Sequence, residues 1–165
     1  MGDDVITLVT KSVDDTKALG AEVAALCRPR DVIVLAGDLG TGKTAFTQGL
    51  ARGLGVEEPV TSPAFVLVRT YAGRLPLTHI DVYRLDHIQE LVDLGIAELV
   101  DEGGVTVVEW GDVVLPALPA EFLEVRLEHG EALDDRRVRI RALGSSWSAR
   151  IAALAGAADR WTAAG

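Results

Sequence analysis

Residues 31–54 read DVIVLAGDLGTGKTAFTQGLARGL. Asp31 to Ala36 is an unbroken run of mostly β-branched apolar residues, the pattern of a strand buried on both faces. Gly37 to Gly42 is a Gly-rich turn. A helix is expected from about Lys43 to Leu54, with Gly55 as its stop. Within this stretch Gly37-Asp38-Leu39-Gly40-Thr41-Gly42-Lys43-Thr44 fits G-x-x-x-x-G-K-[ST], with the apolar strand before it and the helix after it that the motif needs. Each part has a chemical reason. Glycines let the backbone turn with no Cβ in the way, so that successive N–H groups point at one anion. The following helix adds its positive end. Lys43 brings a compact ammonium to the β- and γ-phosphates, and the Thr44 hydroxyl offers a ligand to Mg²⁺. At average residue usage these fixed positions would fall together by chance in roughly one chain of this length in a hundred, before the flanking strand and helix are required.

The rest of the chain is consistent with one soluble α/β domain. Its 165 residues are 48% hydrophobic and 25% charged, close to the globular average, and no apolar run of about 18 residues exists to cross a membrane. Sixteen basic and 25 acidic residues leave a net charge of −9. Such a chain repels a phosphate backbone, so direct binding to nucleic acid is disfavoured. Lysine is scarce, with only Lys11, Lys17 and Lys43, which gives the position of Lys43 more weight. Cys27 is the single cysteine, read as a small buried hydrophobe. No signal peptide is visible at the start, and a cytoplasmic location is expected.

Working outward from the motif, Ile6 to Thr10 reads as a strand. Ser12 with Asp15 resembles a capping box, and Val13, Leu19, Val23 and Leu26 place apolar residues on one face of a helix that ends before Pro29. Phe65–Tyr71 and Leu75–Asp81 read as strands joined by a turn at Ala72-Gly73-Arg74. His87 to Leu99 reads as two short helical pieces divided by Gly95. Val105 to Trp110 is a second fully apolar strand, and Pro116 and Pro119 mark a loop. Leu123, Val125 and Leu127 alternate with Glu124, Arg126 and Glu128, and Val138 and Ile140 alternate with Arg137, Arg139 and Arg141. Paired antiparallel, these strands are expected to set opposite charges across from each other on a wet face. The Ala-rich end from Ser148 reads as a loose terminal helix. Together the elements predict a P-loop NTPase-like three-layer fold with a mixed parallel and antiparallel sheet, a core over about 5–143 and an extension over about 148–165.

A nucleotide-hydrolysing P-loop needs a carboxylate at the end of a neighbouring strand to hold Mg²⁺ or its waters. Asp81 ends LPLTHID and Glu109 ends VTVVE, so both are candidates. Thr61-Ser62-Pro63-Ala64-Phe65 is either a γ-phosphate sensor or an extended lead-in set by Pro63. His79 and His87 lack the spacing of a metal site and are read as structural, Trp110 as core, and Arg84 as a salt-bridged surface residue.

GDLGTGKTAFTQGLARGLG, VTSPAF, HIDVYRL and VVEWGD, in this order and spacing, resemble the TsaE family, the bacterial P-loop ATPases required for threonylcarbamoyladenosine in tRNA. The resemblance spans roughly residues 5–143. It implies ATP or ADP bound by Leu39, Gly40, Thr41, Gly42, Lys43, Thr44 and Ala45, and an adenine-side contact around Lys11 and Ser12. It implies Mg²⁺ on Thr44 and Glu109, and catalytic roles for Lys43, Asp81 and Glu109. Asp81 either orients the attacking water or holds the metal's outer shell. The implied partners are the TsaB–TsaD pair, with ATP hydrolysis permitting their repeated turnover on tRNA adenosine 37. The chain itself is expected to be monomeric and to reach tRNA only through those partners. Two departures stand out: Ala64 replaces the family's usual Thr after Ser-Pro, and Gly111-Asp112 follows Glu109-Trp110.

Two other classes share the motif. A small-molecule P-loop kinase needs a substrate subdomain and an Arg-bearing lid, whereas here a β-hairpin follows the P-loop helix. A nucleotide-gated binding module would keep partner binding without needing hydrolysis.

Overall fold

The computed structural model describes residues 4–38, 40–61, 68–81, 95–109 and 119–163. Seven strands form one sheet. They are β1 (Val5–Thr10), β2 (Val32–Ala36), β3 (Val68–Tyr71), β4 (Leu77–Asp81), β5 (Val105–Glu109), β6 (Phe122–His129) and β7 (Arg136–Leu143). Four helices are described: α1 (Val13–Leu26), α2 (Lys43–Gly53), α3 (Ile96–Asp101) and α4 (Ser145–Ala157). The spatial order is β1-β7-β6-β2-β5-β4-β3. The four middle strands β6, β2, β5 and β4 are parallel, and antiparallel strands flank them at both edges. This is the expected mixed sheet.

Connection geometry assigns the layers. The chain runs from β2 through α2 towards the β3–β4 edge, then back from β4 through α3 to β5. Right-handed crossovers in opposite directions put α2 and α3 on opposite faces. On the α2 side, Leu19 and Val23 of α1, Phe46 and Leu50 of α2, and Ile33, Leu35, Val107 and Val125 of the sheet share one fully buried cluster. On the other side Val32, Val34, Ile80 and Val108 are buried as well, which is why β2 and β5 read as unbroken apolar runs. Helices α1 and α2 touch backbone to backbone: a Cβ on Gly49 would stand 1.9 Å from the Lys17 carbonyl oxygen.

Several local expectations are met with changes. Ser12 caps α1, accepting from the Asp15 N–H at 3.0 Å, while the Asp15 carboxylate reaches back to the Lys11 N–H rather than to Ser12. Val13 does not join the apolar face; it is 58% exposed, because the first inward position of the helix is Thr16, whose hydroxyl meets that of Thr10 at 2.8 Å. The β3–β4 connection is longer than Ala72–Arg74, since Tyr71 pairs with Leu77. Helix α3 begins just after Gly95 (φ 71°). The preceding helical piece, residues 65–67 of the first hairpin strand, Pro116 and the sites at His87, Arg84, Trp110, Gly111 and Asp112 lie outside the described residues.

The β6–β7 pair keeps its apolar alignment, with Val125 opposite Ile140 and Leu127 opposite Val138. The expected row of opposite charges is only partly realised. Glu124 faces Arg141 and Glu128 faces Arg137, but Arg126 faces Arg139. Three arginines alternate along β7 against Glu-Arg-Glu on β6, so aligning the apolar sets forces one like pair. Nor is the face uniformly wet, since Glu124 is buried.

The C-terminal segment is not loose. Trp147 and Leu154 of α4, with Ala158 and Trp161 beyond it, belong to the main core cluster. Buried Arg150 clamps Asp31, the residue before β2, with Nη1–Oδ2 at 2.6 Å and Nη2–Oδ1 at 3.0 Å. The Ala-rich pattern hides this, because Trp147, Arg150, Leu154 and Trp161 do most of the packing while the alanines within α4 face out. Cys27 sits against the same clamp, buried as expected. Burial, helped by the Asp31 carboxylate, pushes its thiol up to about 12. At pH 8 the thiolate fraction should then be on the order of a thousandfold below that of an ordinary cysteine. Ellman's reagent should leave the native chain unlabelled for hours and label it at once in guanidinium. Equal rates in both states would contradict this burial.

Candidate nucleotide site

The loop between β2 and α2 is held open from outside. Gly37 (φ 143°) passes so close to β6 that a Cβ there would stand 2.4 Å from the Leu127 carbonyl oxygen. Gly40 (φ 81°) would meet nothing within 4 Å, so its glycine answers to backbone conformation alone. Lys43 is 5% exposed, and its ammonium donates to the carbonyls of Gly37 and Asp38 at 2.8 and 3.0 Å. The Thr41 hydroxyl donates to Asp38 O at 2.7 Å. A second cation grips the other side: Arg136, at the start of β7, donates from Nε to Thr41 O at 3.1 Å and from Nη2 to Gly40 O at 3.4 Å. Leu39 lies outside the described residues. Arg136 was not singled out by sequence reasoning, because it sits in a row of arginines and its partner is 95 residues away.

The two long N-terminal helices differ where it matters. Helix α1 has a Ser12 side-chain cap and Asp14 and Asp15 in its first turn. Helix α2 has glycine at its N-cap, no side-chain cap and no acid in its first turn. The first N–H groups of a helix have no intrahelical partner. At α2 they belong to Lys43, Thr44 and Ala45, and they open beside a buried lysine. An uncapped helix start next to an ammonium suits an anion and disfavours a cation.

The strand register brings the acids to the same end. Leu35 of β2 pairs with Glu109 of β5, and Glu109 pairs with Asp81 of β4. Both carboxylates therefore stand at the C-terminal ends of parallel strands, beside the point where β2 enters the loop. Glu109 is buried and Asp81 half-buried. Alternation puts His79, Asp81, Val107 and Glu109 on the α2 side of the sheet. His79, fully buried, donates from Nε2–H to Glu109 Oε2. The sequence suggests only a structural role for it, whereas its partner is a candidate metal ligand.

A hydroxyl on Thr44 and carboxylates on Glu109 and Asp81 are hard oxygen donors of the kind Mg²⁺ takes. Among the described residues no group of three or more His, Cys, Asp or Glu could hold a metal by itself. Mg²⁺ would thus depend on phosphate oxygens and water for the rest of its shell. Lys11 is exposed and follows Thr10, which pairs with the loop-gripping Arg136, so it stands at the same sheet end as the phosphate loop; it also borders a groove of about 690 Å³ along β1 and β7 with Arg137, Arg139 and Arg160. Ser12 is occupied as the α1 cap.

The sequence profile of the family described as threonylcarbamoyl adenosine biosynthesis protein TsaE matches residues 10–138. The chain belongs to the TsaE family. It is 44% identical over 119 residues to the tRNA threonylcarbamoyladenosine biosynthesis protein TsaE of Treponema pallidum, covering 72% of this chain and 88% of that one. It is 40% identical over 139 residues to the protein of the same name from Bacillus subtilis, covering 84% and 86%. A crystal structure of Bacillus subtilis YdiB superposes with a TM-score of 0.77 at 34% identity, covering 94% of this chain and 95% of the other. That coverage exceeds the profile match, which stops at residue 138 within β7. Among the described residues no helix is long and apolar enough to cross a membrane.

Proposed function

We propose that this TsaE-family chain is a Mg²⁺-dependent ATPase that acts in threonylcarbamoyladenosine modification of tRNA by driving repeated turnover of a TsaB–TsaD complex. The observation that carries the ATPase reading is the convergence at one sheet end of an uncapped α2 start, buried Lys43 and the paired Asp81 and Glu109. In this reading the amides of residues 40–45 and the Lys43 ammonium bind the phosphates, exchanging the Gly37 and Asp38 carbonyls for phosphoryl oxygens. Bound Mg²⁺ would neutralise charge on the β- and γ-phosphates. Thr44 and Glu109 are its protein ligands. Asp81, directly across from Glu109, orients the attacking water or the metal's outer waters. Arg136 keeps the loop carbonyls turned outwards and so the amides available.

The net charge of −9 favours work through protein partners in the cytoplasm over a direct grip on tRNA. Reconstitution tests both halves. With TsaB, TsaD, tRNA and ATP, omitting this chain should hold modification near one turnover. Adding it should raise both phosphate release and product several-fold. Glu109→Ala should bind the partners yet lose turnover. Full modification by Glu109→Ala with hydrolysis gone would replace the ATPase reading with a nucleotide-gated binding module. Transfer of phosphate to a metabolite in place of free phosphate would replace it with a kinase.

A further inference from the structure

We infer that His79 is a positioning residue for Glu109: it fixes the carboxylate so that one oxygen is held by the protein and the other is presented to the metal. The inference rests on the nucleotide–metal reading of the site and assigns a role to a residue outside its ligand set. His79 has no accessible surface and lies between Leu77 and Asp81 on that face of β4, directly across from Val107. A polar ring in such a place costs on the order of 1–3 kcal/mol for each group left unsatisfied. His79 leaves one: among the described residues its Nδ1 has no hydrogen-bond partner. The ring therefore is not held there by a complete network of its own. Among the described residues its hydrogen bond is the one from Nε2–H to Glu109 Oε2, which leaves Oε1 unengaged by the histidine.

Register explains why this residue can do it. His79 pairs with Val107 and Asp81 with Glu109, so His79 reaches Glu109 along the diagonal between adjacent strands, a separation that long side chains bridge. A carboxylate on three side-chain torsions would otherwise sample several orientations. Ligating carboxylates are commonly hydrogen-bonded by an outer partner, whose loss costs about 10–100-fold in metal affinity.

The full-length chain tests this by calorimetry, titrating ADP with Mn²⁺ and ADP in EDTA. His79→Leu, of similar bulk but without a donor, should lose about tenfold of the Mn²⁺-dependent gain in ADP affinity and leave the EDTA affinity unchanged. His79→Gln, whose amide nitrogen can stand near the Nε2 position, should return to within about threefold of wild type. In a Glu109→Gln background, His79→Leu should add no further loss. Equal losses for His79→Leu and His79→Gln, a loss that persists in the Glu109→Gln background, or a matching loss in EDTA would each assign His79 to core packing and overturn the proposal. Wild-type chain that shows no Mn²⁺-dependent ADP binding at all would remove the nucleotide–metal reading itself, and the positioning role with it.

Discussion

Lys43→Ala should weaken ATP binding by at least about a hundredfold, measured by fluorescent-nucleotide titration, with the fold intact by circular dichroism. The magnitude follows from what the ammonium does. Charge-assisted hydrogen bonds to phosphate contribute roughly 1.5–3 kcal/mol each, and Lys43 has at least two donors committed to the loop, at Gly37 O and Asp38 O. Moving them from neutral carbonyls to a phosphate also sets a full positive charge about 4 Å from a negative one, about 4 kcal/mol at an effective dielectric of about 20; less the carbonyl bonds given up, a net of about 3 kcal/mol is a factor of a hundred or more. The same bonds predict a second effect. Without nucleotide, the ammonium ties down the first half of the loop while Arg136 ties down the second. Lys43→Ala therefore frees one half only, and amide exchange should rise at residues 37–38 more than at 40–41. Unchanged ATP affinity in Lys43→Ala would remove the anion site, and with it the assignment of Thr44 and Glu109.

The decisive part of the site is local in sequence, which is why it is legible there. Strand β2, the glycine turn and α2 are contiguous, and their pattern encodes both structure and ligand chemistry. The apolar runs ending at Asp81 and Glu109 are also contiguous signals, and the sheet confirms that both acids emerge beside the loop. What the sequence hides are pairings that depend on register and topology. His79 meets Glu109 only because β4 and β5 align with Asp81 opposite Glu109. Arg136 reaches the loop only because β7 returns beside β6, whose end lies against Gly37. The charge row on β6 and β7 failed for a related reason: alternation determines which face a residue takes, whereas the neighbour across the strand depends on the register chosen by the apolar side.

The C-terminal segment is the sharpest case, and it yields the second large expected effect. Arg150→Ala should lower stability by roughly 3–5 kcal/mol in urea unfolding, because it leaves the Asp31 carboxylate buried without its counter-charge. The clamp is unusually complete. Besides the two bonds to Asp31, the guanidinium donates to Leu26 O at 2.9 Å and Ser146 O at 3.1 Å and lies 3.9 Å above the Trp147 ring. The Arg28 N–H also donates to Asp31, so the carboxylate is held from two sides. For a chain of this size the loss corresponds to a fall in melting temperature on the order of 10 °C. Arg150→Lys keeps a charge but not the paired geometry, and should recover only part of it. Replacing both partners, Asp31→Leu with Arg150→Met, should recover most of it, since a buried pair costs desolvation that apolar side chains of similar size do not. If Arg150→Ala unfolded at the wild-type urea concentration, α4 would be an appendage after all. If it fell as expected, residues 145–161 would be part of the domain, because Asp31 sits immediately before β2. The strand that delivers the phosphate loop would then be anchored at its start by the last helix of the chain.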